Sequence, residues 1–303
     1  MTVSRAIASS WLVSLALGLA PVVARGQAVV LVHETTIYTD ASEGPLKAPE
    51  GVACTDSGHL VVGDTGNGRL VLYTYQEGRL RGGTEAKLVQ LTAPTRVQIA
   101  ANGDVLALDW KTRKVVRLAA DGSYGGTIEP KGMKGSPVVT PASFKLDASG
   151  NVYLLDGKER RVLVLESSGA VKAEVQLPKE SGLVSDIAVD LSGTLYAIDP
   201  VNAVVWTAEK GAPTFKALTP SMKDRMSFPS YITVSKGKVF VVDQNGNGIV
   251  VLGLDGSYQG RQLSIGWSDG LVNYPAQLCL TDAGFVFVAD RFNNRVQAFS
   301  IAK

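Results

Sequence analysis

The 303-residue chain has only two histidines and two cysteines, with 7% aromatic and 19% charged residues. Each scarcity closes off a class of function. His33 lies in a strand-like segment and His59 beside a turn, so the pair reads as structural and leaves a Ser-His-Asp arrangement without support. No G-x-S-x-G elbow, phosphate-cradling glycine loop or haem-attachment motif occurs. With 30 Lys+Arg against 28 Asp+Glu the net charge is +2, which lacks the basic balance of a nucleic-acid binder. Beyond the N-terminal segment no apolar run approaches the roughly 20 residues of a membrane helix.

What is present points to strands. Hydrophobic residues make up 45% of the chain, and short apolar runs alternate with turn-forming clusters drawn from 32 Gly and 13 Pro. That pattern favours many short strands over long helices. At the N-terminus, Arg5 precedes an apolar stretch from Ala6 to Ala20, with small residues at Val22-Val23-Ala24 and Gly26-Gln27-Ala28. Pro21 and these cleavage-like sites favour a signal peptide over residues 1–28 rather than a retained anchor. The expectation is a periplasmic or extracellular protein, monomeric alone, with no stable membrane insertion after signal cleavage.

An apolar run ending in Asp occurs six times, at Asp64, Asp109, Asp156, Asp199, Asp243 and Asp290, at intervals of 45, 47, 43, 44 and 47 residues. A Pro stands 14 or 15 residues before the Asp in five units (Pro49, Pro94, Pro141, Pro229 and Pro275), and Val184 takes its place in the fourth. The first unit divides into strands at Gly51–Cys54, Leu60–Gly63, Leu70–Tyr73 and Lys87–Leu91. Four strands per 45 residues or so is the period of a propeller blade. The prediction is an all-β fold, a six-bladed β-propeller of four-stranded antiparallel blades. The last unit stops at Ile301 after its third strand, so Val29 to Tyr38 would supply the missing strand and close the ring.

The motif Pro-x-Gly-Val-Ala, then Asp-x-x-Gly, an apolar run into Ala-Asp, and Asn-x-Arg-Val resembles the NHL repeat. Its best match runs from Pro275 through Ala289-Asp290-Arg291-Phe292-Asn293-Asn294-Arg295-Val296 to Phe299. The resemblance covers about residues 48–303 and implies a six-bladed propeller over 29–303, with 29–47 as latch strand and linker. For function it implies several classes: binding platforms, RNA-binding modules, hydrolases and lyases.

The recurring Asp residues suggest a ring of ligands, but a strand-ending Asp that accepts hydrogen bonds from the following turn explains one per blade. Five residues later stand Arg69, Lys114, Arg161 and Arg295 in four units, cations that would pair with it. What remains is a basic, aromatic-bearing set on the loops after the second strands: Trp110, Lys111, Arg113, Lys158, Arg160, Arg291 and Phe292. The connections Leu218 to Ser227, with Met222 and Met226, and Ser264 to Tyr274, with Trp267, add partner-sized surface. This face would hold a protein or an anionic polymer. Nucleic acid is not expected.

At the channel mouth the starts of the inner strands place Glu50, Arg96, Ser143, Asp186, Tyr231 and Gln277 as a possible small-ligand site. Lactonase-like relatives hold a divalent cation there with carboxylates and amides, so Ca2+ is possible, although the full set is not evident here and no cofactor is expected. Zinc-dependent lyases of related shape need several His. Cys54 and Cys279, on neighbouring units of a closed ring, either face one another across the seam as a disulfide or point apart as buried thiols. The reading is an exported, non-catalytic binding scaffold; the alternative is a metal-assisted hydrolase or lyase at the channel mouth.

Overall fold

The computed structural model describes residues 29–133 and 138–302, so residues 1–28, where a signal peptide is expected, lie outside the described residues. Six four-stranded antiparallel sheets form, each meeting the next, and no α-helix occurs among the described residues. The chain is a six-bladed β-propeller.

The second strand of each blade is buried at nearly every position, from Leu60 to Asp64 in blade 1 to Val286 to Asp290 in blade 6. This explains why these strands read as unbroken apolar runs: both faces of each blade are covered by a neighbour. Successive side chains point to opposite faces. Thus Leu60 and Val62 pack towards blade 6 with Phe287 and Ala289, while Val61 packs towards blade 2 with Val97 and Ala107. The core is therefore six apolar layers between blades, with Phe144 and Leu154 central to the layer joining blades 2 and 3.

The ring closes as the repeat predicts. Strand Leu31–Ile37 pairs antiparallel with Arg295–Ile301 and forms the outer strand of blade 6, with an irregularity between His33 and Thr35. Ile37 joins the layer between blades 6 and 1. Cys54 and Cys279 face one another across that seam in a disulfide, with Cα atoms 5.9 Å apart. Their opposite parity is what makes this work: one thiol points forward from blade 6 and the other back from blade 1.

One strand lies elsewhere than expected. The fourth strand of blade 1 is Arg79–Ala86, whereas 87–91 belong to the connection into blade 2. Glu77 and Gly78 both take positive φ (52° and 74°), so Arg69–Gln76 folds straight back on a two-residue turn.

All six repeat Asp residues are essentially inaccessible. Each fastens two loops at once. Asp109 accepts the N–H groups of Thr92 (2.6 Å) and Ala93 (2.8 Å) from the incoming connection and of Thr112 (2.7 Å) from its own loop. Asp199 takes Gly182 (2.6 Å) and Val201 (3.0 Å) in the same way. Arg69, Arg161 and Arg295 meet their Asp at 2.7, 3.3 and 2.7 Å. The expected fourth pair, Lys114 with Asp109, is not made: Lys114 is exposed, and Thr112 and Thr92 satisfy the carboxylate instead. In blade 5, where Gly248 holds the cation position, Arg261 from the fourth strand reaches Asp243 at 2.9 Å. A Cβ at Gly248 would lie 3.0 Å from the Arg261 side chain, so the glycine makes room for it.

The residue four after each Asp is left-handed in all six blades: Gly68, Arg113, Arg160, Ala203, Asn247 and Asn294, with φ between 52° and 63°. Only one is glycine. Asn247 and Asn294 adopt this region readily, whereas Arg113, Arg160 and Ala203 each cost about 1 kcal/mol there, and the fastened Asp holds them in place.

Deleting 29–38 exposes the edge of Arg295–Ile301 and should lower the midpoint of thermal unfolding by well over about 5 °C, at roughly 2–4 °C per kcal/mol; an unchanged melting curve would show that the latch is dispensable. A second expectation concerns acid. Burial opposes ionisation of Asp109, but the donors of Thr112, Ala93 and Thr92 outweigh it and hold the carboxyl below the usual carboxylate range. Its stabilisation is therefore complete above about pH 4 and is lost as pH falls through the depressed pKa. Asp109→Asn should be markedly less stable at pH 7, and its denaturant midpoint should converge on that of the wild type in acid.

Candidate functional site

Strand register sets which residues surround the channel. Arg96 stands opposite Leu108, Ser143 opposite Leu155, Asp186 opposite Ile198 and Tyr231 opposite Val242, in each case one residue before the repeat Asp. The matching residue of blade 1 is Gly51, opposite Gly63. Glu50 thus sits one residue outside the ring of equivalent positions, and Arg291 pairs with it at 3.2 Å.

Asp186, from blade 4, is fully buried. Its Oδ1 accepts the Ser143 hydroxyl of blade 3, and its Oδ2 accepts the Ile232 N–H of blade 5 at 2.9 Å. Lys145 Nζ lies 3.2 Å from Oδ2, and Arg96 Nε lies 4.0 Å from Oδ1. The Tyr231 ring carries both cations, Lys145 Nζ at 3.7 Å and the Arg96 guanidinium at 5.5 Å from its centroid. Arg96 also crosses the channel, donating to Ser230 O at 3.2 Å. Four blades therefore contribute Arg96, Ser143, Lys145, Asp186 and Tyr231 to one cluster with two formal cations and one anion.

Gln277 takes a different part. It accepts from Val97 N–H at 3.2 Å and donates to Val97 C=O at 2.9 Å, linking blade 6 to blade 2 past blade 1. Gly51 lets the blades approach this closely, since a Cβ there would fall 2.5 Å from Val97 Cγ2.

Sequence reasoning missed Lys145. It stands two residues after Ser143 on the same strand, and so on the same face, at a position filled elsewhere by Ala53, Gln98, Ala188, Thr233 and Cys279. A lysine on an innermost strand was the available signal. Only 4% of it is exposed.

The basic loop residues do not form one free patch. Arg160 turns inward, donating to Pro178 O and Ser181 O at 2.9 Å, Ser181 Oγ at 2.8 Å and Gly182 O at 3.3 Å. Arg113 lies flat on Trp110 at 3.5 Å. Phe292 stacks on Tyr274 at 4.4 Å beside Arg291. Lys111 and Lys158 remain exposed. Met222 and Met226 are buried under the blade 4–5 layer, whereas Trp267 is 76% exposed. Exposed apolar side chains do gather on this face, Leu183 and Val201 joining Trp110, Trp267 and Phe292. A cleft of about 690 Å3 opens between blades 3 and 4 on the opposite face; of its acids, Asp147 and Asp190 are engaged by their own turns, Glu174 by Arg161 and Glu209 by Lys216.

No protein-family model matches the chain, and no curated protein matches it by sequence. Solved structures do. A catalytically inactive His-to-Ala variant of virginiamycin B lyase from Staphylococcus aureus, with quinupristin, matches with a TM-score of 0.62 at 14% identity, over 90% of this chain and 99% of that one. A gluconolactonase from Xanthomonas campestris matches with a TM-score of 0.62 at 15% identity, covering 93% and 99%. The PQQ-bound aldose sugar dehydrogenase of Streptomyces coelicolor gives 0.63 at 13%, covering 92% and 100%. At such identities the likeness establishes the six-bladed propeller and leaves NHL membership unsupported. It also corrects the expectation of a non-catalytic scaffold: these full-length structural counterparts are enzymes, and the loop cations on which that expectation rested are partly consumed by internal contacts.

Arg160→Ala should destabilise the domain by at least about 2 kcal/mol, since charge-assisted bonds to four acceptors are lost. Arg160→Gly should recover part of this by relieving the positive φ. Lys111→Glu with Lys158→Glu should leave the unfolding midpoint unchanged. Equal effects from all three in chemical denaturation would refute the assignment.

Proposed function

We propose that the chain is a catalytic propeller, a hydrolase or lyase acting on a small substrate at the channel mouth. The observation that carries this is the buried Arg96–Lys145–Asp186–Ser143–Tyr231 cluster, drawn from four blades at one end of the channel. Charged groups with few partners in a water-poor site are arranged as catalytic groups commonly are. Lys145 and Asp186 form the acid–base pair, 3.2 Å apart. Ser143 orients the carboxylate through its hydroxyl, and Arg96 with Lys145 draws the polar end of the substrate to the pair.

The residues do not fit a divalent cation. Both Asp186 oxygens already have partners, two cations stand beside them, and Glu50 is engaged by Arg291. Nor can a histidine serve: His33 bonds to Thr36 on the latch strand, and His59 begins a strand at the opposite face. The reading therefore needs neither metal nor histidine. Export through residues 1–28 and kinship with NHL-repeat proteins belong to the same reading, and a disulfide between Cys54 and Cys279 suits an oxidising compartment.

The test is turnover of lactones, esters and cyclic depsipeptides, each with and without a free carboxylate, by the purified chain, with Lys145→Met and Asp186→Asn alongside. Each variant should lower kcat/KM by at least about 100-fold, and a chelator should leave the wild-type rate unchanged. Activity that survives both substitutions places the chemistry elsewhere.

A further inference from the structure

We propose that the channel mouth is a carboxylate-binding site, with a monoanionic carboxylate of the substrate held between Arg96 and Lys145. This rests on the channel as the place of chemistry and specifies what enters it.

The first support is charge. Within the cluster, Arg96 and Lys145 face a single carboxylate, Asp186, so one positive charge has no counterpart. A buried excess charge is costly unless an ion offsets it. The second is unmet hydrogen bonding. Arg96 Nε and Lys145 Nζ are both buried and lack hydrogen-bond partners, although Lys145 is almost wholly enclosed. Buried donors are rarely left unmatched without a reason. Lys145 meets Asp186 as an ion pair at 3.2 Å, yet without an aligned hydrogen bond.

The third support is preorganisation. Arg96 Nη1 is tied to Thr95 O at 3.0 Å and Nη2 to Ser230 O at 3.2 Å, which fixes the guanidinium and leaves its Nε without a partner. The Tyr231 ring fixes the same group from one face and Lys145 more closely. Two cationic donors beside the single Asp186 carboxylate leave one net positive charge, which matches the two oxygens and single charge of a carboxylate. A phosphate dianion would bring a second charge that the cluster does not balance. Arg96, at 14% side-chain exposure, is the more accessible of the two cations and would meet the ligand first.

The measurement is calorimetric and thermal-shift titration of the full chain with acetate, gluconate and benzoate, each beside its neutral amide, and with chloride and inorganic phosphate. At least one carboxylate should bind and its amide should not. Arg96→Gln and Lys145→Met should each weaken that binding by at least about tenfold. If Arg96→Gln does not fold, Arg96→Lys, which keeps the charge but loses Nε, should still weaken it. Equal binding of acid and amide, equal binding of chloride, or wild-type affinity in the folded Arg96 and Lys145 variants would overturn the proposal. Carboxylate binding without turnover of any substrate would sink the catalytic reading alone, whereas turnover with no preference for carboxylates would sink this one alone.

Discussion

The structure depends on one contact repeated six times, the buried carboxylate that ends each second strand. A carboxylate can accept about four hydrogen bonds, and here it collects N–H groups from two loops that are otherwise unrelated in the chain. Without it, the donors of the incoming connection and of the strand 2–3 loop would be buried with nothing to accept them. The supply of a cation is secondary. Arg69, Arg161 and Arg295 come from the next strand, Arg261 comes from the fourth, and Asp199 relies on Asn202 and backbone alone. Several solutions to the same acceptor site imply that the acceptor is the constraint.

That constraint makes a charged centre tolerable. Six loops held in left-handed turns define a rigid mouth, and the seam is closed twice over, by the latch strand and by the Cys54–Cys279 bridge. A cross-link spanning 225 residues removes much of the freedom of the unfolded ring, on the order of 5 kcal/mol in the chain-entropy account. Stability gathered at the seam and between blades offsets the desolvation of Arg96, Lys145 and Asp186 in the channel, which on its own would favour apolar replacements.

The fold was legible because its signal is redundant. The fourth unit lacks the repeat Pro, yet Asp186 falls opposite Ile198 in the same register as its counterparts, since burial of both strand faces sets the pairing. The channel was legible only in part. Asp186, Arg96, Ser143 and Tyr231 stood out as polar residues at one repeat position, but Lys145 occupies the next position on that face, where the other blades share no residue type. Arg160 was misread for a different reason. Its positive φ is a property of the turn rather than of the residue type, and its long side chain can fold back onto carbonyls that no local pattern reveals. The pairing of the cysteines was open because parity fixes that the thiols point oppositely but not which of the two ways. The missing motifs excluded only chemistries written in linear sequence. A site assembled from four blades has no such signature.

The centre of the ring is also asymmetric, and its cause is a single missing side chain. Gly51 leaves blade 1 without a residue at the channel position, so Gln277 reaches past it to both polar groups of Val97 and seals that side with a neutral, fully paired amide. The charged groups are thereby confined to blades 2 to 5, where Arg96 reaches across to Ser230 and Asp186 is shared between Ser143 and Ile232. A symmetric ring of six equivalent residues would present equivalent groups to a ligand on the axis and bind it without preference for orientation. Breaking the repeat at Gly51 gives the channel one neutral wall and one charged wall, so the anionic ligand proposed for it has a single way to present its charged end. The repeat holds the blades, and the departure from it gives the channel a direction.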